Sequence, residues 1–297
     1  MPTFPFMQVD AFTTQKLAGN PCAVLFEADE LKEDEMLAIA REMNLAETAY
    51  VMRSNLADYQ VRYFTPALEI PFAGHPTIAV VHALFESGRL SLTGELSEIT
   101  LDLQAGIIPI EIISVQGNIK RIIMTQNQPV FMKKYNPDEI MPLFGLESLD
   151  LYSPQTLIQT VSTGTPQLMV PLKDLEALRR AQMNIPAFKK FRSKSDFYSA
   201  HLFCVTGVTS SGDTFARHLD APPDLLEDPF TGSASGGMAA YLWHYGMIDQ
   251  PTFIAEQGHW LNRPGQATIE VVGTPEDIRA VKVGGQAVTV VQGDIIL

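Results

Sequence analysis

The chain has 297 residues, of which 46% are hydrophobic and 19% are charged. This length favours two domains, and the mixture is that of a globular protein rather than a disordered, collagen-like or coiled-coil one. The formal net charge is −13 at pH 7, so the chain repels phosphate backbones and anionic lipid, and no nucleic-acid or membrane partner is expected. A small anionic ligand is still compatible with this negative charge, because the N–H groups at a helix start attract an anion locally.

The N-terminal residues and the cysteines favour a cytoplasmic protein. The N-terminus has no basic stretch followed by an apolar core, so no secretory signal is predicted. The two cysteines, Cys22 and Cys204, are too few for a disulfide framework or a zinc site. The sequence contains no metalloprotease, P-loop or dinucleotide-binding motif, so neither a metal nor another cofactor is expected.

In chain order, short strands alternate with helices. The predicted strands of the first part are residues 7–12, 22–26, 48–51 and 60–64. Apolar side chains recur at helical spacing over residues 34–43, after acidic residues that suit a first turn. A second helix is predicted over residues 77–85, with Pro76 where a first-turn proline fits.

The chain also repeats itself. The sequence pattern of residues 17–25 recurs in residues 162–170, and each segment is followed by an acidic helix start. Residues 70–76 align with residues 228–234, and each of these runs into an apolar helix. Two matches in the same order indicate an internal duplication.

A duplication of this kind predicts an α+β fold. Its two similar domains, residues 1–117 and 118–297, would each be a curved, mostly antiparallel sheet wrapped around a central helix. Residues 126–129 would open the second copy as residues 7–12 open the first, and the last strand is free to pair back onto the first domain. A cleft between two such domains is the usual place for a small-molecule site.

Two equivalent loops are the first site candidates. Gly74-His75-Pro76 and Gly232-Ser233-Ala234 each lie between an extended stretch and a helix start. The first-turn N–H groups of a helix lack internal partners and bind carboxylates, and glycine allows a ligand to approach closely. The alternative interpretation is that His75 and Ser233 are N-caps without a ligand.

Two carboxylates are further candidates. Asp228 occupies the position that Ile70 has in the first copy. This difference indicates either a function of the second copy alone or ordinary sequence divergence. Glu47 opens a predicted strand and is either an exposed strand-end residue or an acid/base group. If the cleft buries Glu47, desolvation raises its pKa and lets it act as both acid and base.

Several segments resemble the PhzF-like (phenazine-biosynthesis) family. They are Asp10-Ala11-Phe12, Gly19-Asn20-Pro21, Glu47-Thr48, Phe64-Thr65-Pro66, residues 72–77, residues 227–234, and Gln257-Gly258 followed by Arg263-Pro264-Gly265. The resemblance covers nearly the whole chain. It implies the fold of diaminopimelate epimerase and proline racemase, with the active site between two duplicated domains, and a homodimer.

The resemblance implies a cofactor-independent isomerase. Glu47 matches the family's acid/base glutamate. The residues that match its substrate-binding positions are Gly74, His75, Asp228, Gly232 and Ser233. We therefore expect an isomerase that moves a proton on a small carboxylate-bearing metabolite in an inter-domain cleft.

Two other functions stay open. A two-cysteine racemase or epimerase needs thiols at equivalent loops of the repeat, and the separation of Cys22 and Cys204 does not match the repeat. A ligand-binding or interaction protein would keep the same cleft without turnover.

Overall fold

The computed structural model describes residues 2–222 and 225–297. The chain forms two compact units: Met1–Thr125 together with Gly284–Leu297, and Gln126–Val283. The predicted boundary after residue 117 falls in a hairpin turn between Val115 and Asn118, a few residues before the first unit ends.

Unit one contains a sheet and two helices. Its strands are β1 (Thr3–Ala11), β2 (Asn20–Leu25), β3 (Glu47–Met52), β4 (Tyr59–Phe64), β5 (Glu69–Ile70), β6 (Leu96–Leu103), β7 (Gly106–Val115), β8 (Asn118–Gln126) and the C-terminal β18 (Ala287–Ile296), and its helices are α1 (Glu33–Met43) and α2 (Gly74–Glu86). β1 pairs antiparallel with β18 and β2, and β4 pairs antiparallel with β3 and β5. The pairs β2–β3 and β4–β6 are parallel.

Unit two contains the remaining elements. Its strands are β9 (Val130–Tyr135), β10 (Ile158–Ser162), β11 (Pro166–Pro171), β12 (Ser199–Cys204), β13 (Thr214–Leu219), β14 (Glu227–Asp228), β15 (Thr252–Gln257), β16 (Gly265–Thr274) and β17 (Asp277–Gly285), and its helices are α3 (Pro137–Ile140), α4 (Leu175–Arg180), α5 (Ile185–Arg192) and α6 (Gly232–His244). Short 3₁₀ helices cover Ala28–Glu30, Met141–Phe144, Ser148–Asp150 and His259–Leu261.

The strand pairing confirms the duplication. β10, β11, β12, β13, β14 and β15 pair with one another in the same order and directions as β1, β2, β3, β4, β5 and β6. The prediction that residues 126–129 open the second copy is wrong, since β10 pairs with β11 as β1 pairs with β2. Residues 126–129 instead end β8 and lead into β9, which pairs with β10 as β18 pairs with β1.

Each unit has one central helix, as the sequence predicts. α2 packs against β1, β2, β3 and β18, and α6 packs against β10, β11 and β16. Both helices have thirteen residues and are buried over most of their length, in agreement with their nearly continuous apolar sequence. α1 begins one residue before the predicted start and packs into an apolar cluster of unit one. Among the described residues, no helix combines the length and apolarity needed to cross a membrane.

An ion pair recurs at the same place in both repeats. The guanidinium of Arg62 on β4 donates to both carboxylate oxygens of Glu69 on β5, at 2.7 and 2.6 Å. Arg217 on β13 donates in the same way to Glu227 on β14, at 2.9 and 2.7 Å. Two parallel bonds between a guanidinium and a carboxylate fix direction as well as distance. Each pair therefore anchors the short strand that leads into α2 or α6.

Candidate active site

The first group of candidate residues lies in unit one. Glu47 is the first residue of β3, and its Oε2 lies 3.3 Å from Nε2 of His75 on α2. The Glu47 side chain is 21% exposed and the His75 side chain 6%. A carboxylate in this position is accessible to a ligand while most of its surroundings are protein.

The imidazole of His75 is held from its other side by an asparagine. Nδ2 of Asn20, the first residue of β2, lies 3.0 Å from Nδ1 of His75. Burial lowers the pKa of His75 to about 3, and the nearby backbone carbonyl of Pro21 opposes this shift. His75 is therefore a neutral group at pH 7, with one nitrogen available as a donor and the other as an acceptor.

His75 is not an N-cap, so that interpretation is wrong. The N-cap of α2 is Ala73, and Gly74 and His75 are the first two helical residues. The helix thus begins three residues before the predicted start at Thr77. The backbone N–H groups of Gly74 and His75 are among those that a helix leaves without internal partners. A ligand carboxylate at this helix start would meet these N–H groups and the Glu47–His75 pair together.

The cysteines do not form a pair of catalytic thiols. Cys22 lies opposite Glu47 in the parallel β2–β3 pair and is fully buried, and burial followed by the charge of Glu47 raises its pKa. Burial also raises the pKa of Cys204 to about 11. Both groups are thiols at pH 7, and they occupy positions that are not equivalent in the repeat. The geometry gives no support to the two-cysteine racemase.

The second group of candidates lies in unit two, around the start of α6. Asp228 on β14 accepts a hydrogen bond from the hydroxyl of Thr231, the N-cap residue of α6. Gln257 on β15 donates to the backbone carbonyl of Asp228 at 2.7 Å and accepts from the N–H of Thr231 at 3.2 Å. The carboxylate is therefore held in a fixed orientation beside the helix start. Asp228 faces His218 in the β13–β14 register, as Ile70 faces Tyr63 in unit one, which confirms that the two positions are equivalent.

Ser233 and Gly232 occupy the first turn of α6, as His75 and Gly74 occupy that of α2. Ser233 is the second helical residue rather than an N-cap, and its hydroxyl accepts a hydrogen bond from Nε2 of Gln167 at 3.1 Å. Gln126 donates to the carbonyl of Gly232 at 2.9 Å. A Cβ atom on Gly236 would lie 1.9 Å from Oε1 of Gln126, so a larger residue there would displace the Gln126 amide.

Sequence reasoning did not single out the residues that hold these candidates in place. They are Asn20, Gln126, Gln167 and Gln257, all polar and all buried. Asn20 and Gln257 lie within the segments that resemble the PhzF-like family, so that resemblance was the available signal. Gln126 and Gln167 lie outside those segments, although each falls within a stretch that the duplication involves, residues 126–129 and 162–170. Their partners are distant in sequence, which a local pattern does not reveal.

The candidate residues therefore form two groups. Glu47, Gly74 and His75 come together in unit one, and Asp228, Gly232 and Ser233 in unit two. Within residues 2–222 and 225–297, no three His, Cys, Asp or Glu side chains are grouped closely enough to hold a metal ion. The acid/base and substrate-binding roles of these residues stay predictions.

Comparison with known proteins gives consistent matches over the whole chain. The model of a family described as "Phenazine biosynthesis-like protein" matches residues 9–293. An uncharacterized isomerase of Bacillus subtilis is 35% identical over 268 residues, which cover 89% of each chain. The trans-2,3-dihydro-3-hydroxyanthranilate isomerase of Pseudomonas fluorescens is 31% identical over 98% of this chain and 99% of its own. The crystal structure of a PhzF-family phenazine biosynthesis protein of Bacillus anthracis superposes with a TM-score of 0.89 at 32% identity, covering 100% of both chains.

Proposed function

Since this chain belongs to the phenazine biosynthesis-like (PhzC-PhzF) family of isomerases, we propose that it moves a proton on a small carboxylate-bearing metabolite, with Glu47 as both acid and base. The observation that supports this proposal is the contact between Glu47 and His75 at the start of α2, 3.3 Å between Oε2 and Nε2. It places a partly exposed carboxylate beside a buried neutral imidazole and next to the N–H groups of a first helical turn.

In the proposed reaction the Glu47 carboxylate accepts a proton from an acidic C–H group of the substrate. The electron pair left on carbon moves through the adjacent unsaturated system. The resulting carboxylic acid of Glu47 then returns the proton at the other end of that system. No atom or electron is gained or lost overall. Acid/base catalysis by one positioned group contributes roughly 10²–10⁴-fold, so orientation of the substrate supplies much of the remaining rate enhancement.

We assign the orienting role to the two helix starts. The N–H groups around Gly74 and Gly232 would bind a substrate carboxylate, because a helix N-terminus carries partial positive charge. His75, Asp228 and Ser233 would hold polar groups of the substrate. The sequence-based expectation that both groups act on one substrate in a cleft between the domains stays a prediction.

Isotope exchange tests the proposal directly. The protein is incubated in D₂O with trans-2,3-dihydro-3-hydroxyanthranilate, the compound named for one relative, and with a panel of small amino and hydroxy acids. Because Glu47 is partly exposed, the proton that it holds exchanges with solvent during turnover, so we expect deuterium in the product of a compound that is isomerised. We also expect a loss of turnover of at least about 10²-fold in Glu47→Gln. Glu42→Gln, a change of an exposed glutamate on α1, is the matched control and should retain full activity.

Binding measurements on the same panel separate an enzyme from a binding protein. If compounds bind to the wild-type protein but neither exchange nor isomerise, the chain is a binding protein without turnover. Full activity of Glu47→Gln would show that another group moves the proton.

A further inference from the structure

The His75 ring lies between the amide side chain of Asn20 and the carboxylate side chain of Glu47. On one side Nδ2 of Asn20 lies 3.0 Å from its Nδ1, and on the other side Oε2 of Glu47 lies 3.3 Å from its Nε2. Asn20 is fully buried and His75 is 5% exposed. The positions of the protons on the Asn20 amide and the His75 ring are therefore set by the protein and not by solvent.

The number of protons on the ring is fixed by its burial. Because burial lowers the pKa of His75 to about 3, the imidazole carries one proton at pH 7, on either Nδ1 or Nε2. An amide nitrogen donates hydrogen bonds and does not accept them. The nitrogen opposite Nδ2 of Asn20 must then be the bare acceptor, which leaves the proton on Nε2. Nε2 is the ring nitrogen next to Glu47, 3.3 Å from its Oε2, so the ring presents its proton on the side of this carboxylate.

One other group competes for the ring proton. The backbone carbonyl of Pro21 favours a protonated ring and is an acceptor. If Nδ1 carried the proton and donated it to Pro21, the Asn20 amide would face an N–H group, with two donors 3.0 Å apart. Glu47 would then face a bare nitrogen and would need to be protonated to make a hydrogen bond. The two arrangements thus differ in the tautomer of His75 and in the protonation of Glu47.

We propose that Asn20 is a positioning residue that holds His75 in its Nε2–H tautomer and thereby keeps Glu47 ionised in the resting protein. The contact between Nε2 and Oε2 is 3.3 Å long and does not have hydrogen-bond geometry, but the positive end of an N–H dipole that faces a carboxylate still favours its charged form. Glu47 is then ready to accept a proton from a substrate. The last step rests on the proposed function, whereas the tautomer itself does not.

The tautomer is measured on the substrate-free protein. Two-bond ¹H–¹⁵N correlation spectra of ¹⁵N-histidine-labelled protein distinguish a bare ring nitrogen from a protonated one. The chain has six histidines, and His75→Gln assigns the His75 signals by their loss. We expect a bare Nδ1 and a protonated Nε2 at pH 7. The reverse pattern in the wild-type protein would overturn the inference without any further variant.

Asn20→Asp tests the dependence on the amide. A carboxylate at this position accepts and does not donate, so we expect the ring proton to move to Nδ1, or the ring to become doubly protonated, with His75 titrating at higher pH than in the wild type. Asn262→Asp adds the same charge at an exposed asparagine of unit two and should leave the His75 signals unchanged. An unchanged Nε2–H tautomer in a folded Asn20→Asp protein contradicts the inference.

Turnover provides a readout that a purely structural role would not move. If Asn20 keeps Glu47 ionised, the pH–rate profile of Asn20→Asp should be displaced from that of the wild type, while Asn262→Asp keeps the wild-type profile. An activity of Asn20→Asp that is reduced equally at all pH values would indicate lost packing instead and would refute the inference. The NMR result stands whether or not Glu47→Gln is active, so failure of the proposed function and failure of this inference are distinguishable.

Discussion

Glu47 and Ser199 occupy equivalent positions in the two repeats. Each is the first residue of a strand that pairs in parallel with the strand before it: Glu47 lies opposite Cys22, and Ser199 lies opposite Gln167. The two repeats thus differ in the residue that opens the third strand, a carboxylate in one and a hydroxyl in the other. This difference supports a reaction in which one group both removes and returns the proton.

The equivalence leads to a prediction for Ser199→Ala. The Ser199 hydroxyl is buried and has no hydrogen-bond partner among the described residues. Leaving such a group unsatisfied costs about 1–3 kcal/mol, so we expect its removal to raise the free energy of unfolding in urea by up to about that amount. Isomerase turnover should be retained. A loss of stability in Ser199→Ala would show that the hydroxyl has a partner after all.

Gly19 determines where Asn20 enters β2, and its substitution should be costly. Its φ of +56° lies in the left-handed region, and a Cβ atom would lie 2.2 Å from the carbonyl oxygen of Ala11. Gly88 is a matched control, because its φ is +71° but no atom lies within 4 Å of an added Cβ. We expect Gly88→Ala to lower the free energy of unfolding by about 1–2 kcal/mol from backbone strain alone.

Gly19→Ala should lose more stability than Gly88→Ala, because the backbone must also move away from Ala11. It should also shift the NMR signals of His75, which Gly88→Ala leaves in place. Urea unfolding measures the first effect and ¹⁵N-histidine spectra the second. Equal losses in the two variants would mean that the contact with Ala11 relaxes without cost.

Three buried histidines should make the protein sensitive to mild acid. Burial lowers the pKa of His75 and of His218 to about 3, and burial together with the nearby His218 also holds the pKa of His201 well below its usual range. An unfolded histidine has a pKa of about 6.5. Between these values the unfolded chain binds protons that the native protein does not, so the free energy of unfolding falls as the pH falls below about 6.5.

Each such histidine contributes at most about 1.4 kcal/mol per pH unit to the slope of the free energy of unfolding against pH. His201→Gln should therefore reduce the slope between pH 6.5 and 5, a range above the unfolded pKa of most carboxylates. His244→Gln is the control, because the exposed His244 side chain is hydrated in both states. The measurement is urea unfolding at a series of pH values. Identical slopes for wild type and His201→Gln would show that His201 is protonated in the native protein.

Much of the fold could be predicted from the sequence because its signals are local. Apolar spacing indicated α1 to within one residue and α2 to within three, and the echo between residues 70–76 and 228–234 identified the two central helices. The predicted start of α2 is three residues too late, because Pro76 suits any position of a first turn. β10 was missed as the first strand of the second copy, since its residues share no motif with β1.

The candidate site was predictable as a set of residues but not as a geometry. Glu47 and His75 are candidates from the residues themselves, and the family resemblance adds their roles, but their contact depends on how β3 packs against α2. Asn20 and His75 lie 55 positions apart in the chain, and Gln126 and Gly232 lie 106 apart. Contacts across such distances depend on tertiary packing, which has no local signature in one sequence.

The last prediction separates the roles of the two carboxylates. The Asp228 side chain accepts a hydrogen bond from Thr231, and its backbone carbonyl accepts one from Gln257, which fixes it beside the start of α6. If Asp228 holds the substrate and Glu47 moves the proton, Asp228→Asn should mainly raise KM, whereas Glu47→Gln should mainly lower kcat. Thr231→Val removes the hydroxyl but keeps the carboxylate, so its effect should resemble a weaker form of Asp228→Asn. Steady-state kinetics in H₂O give KM and kcat, and exchange in D₂O measures proton transfer. An Asp228→Asn protein that binds substrate normally but is as inactive as Glu47→Gln would replace this division of roles with an acid/base pair.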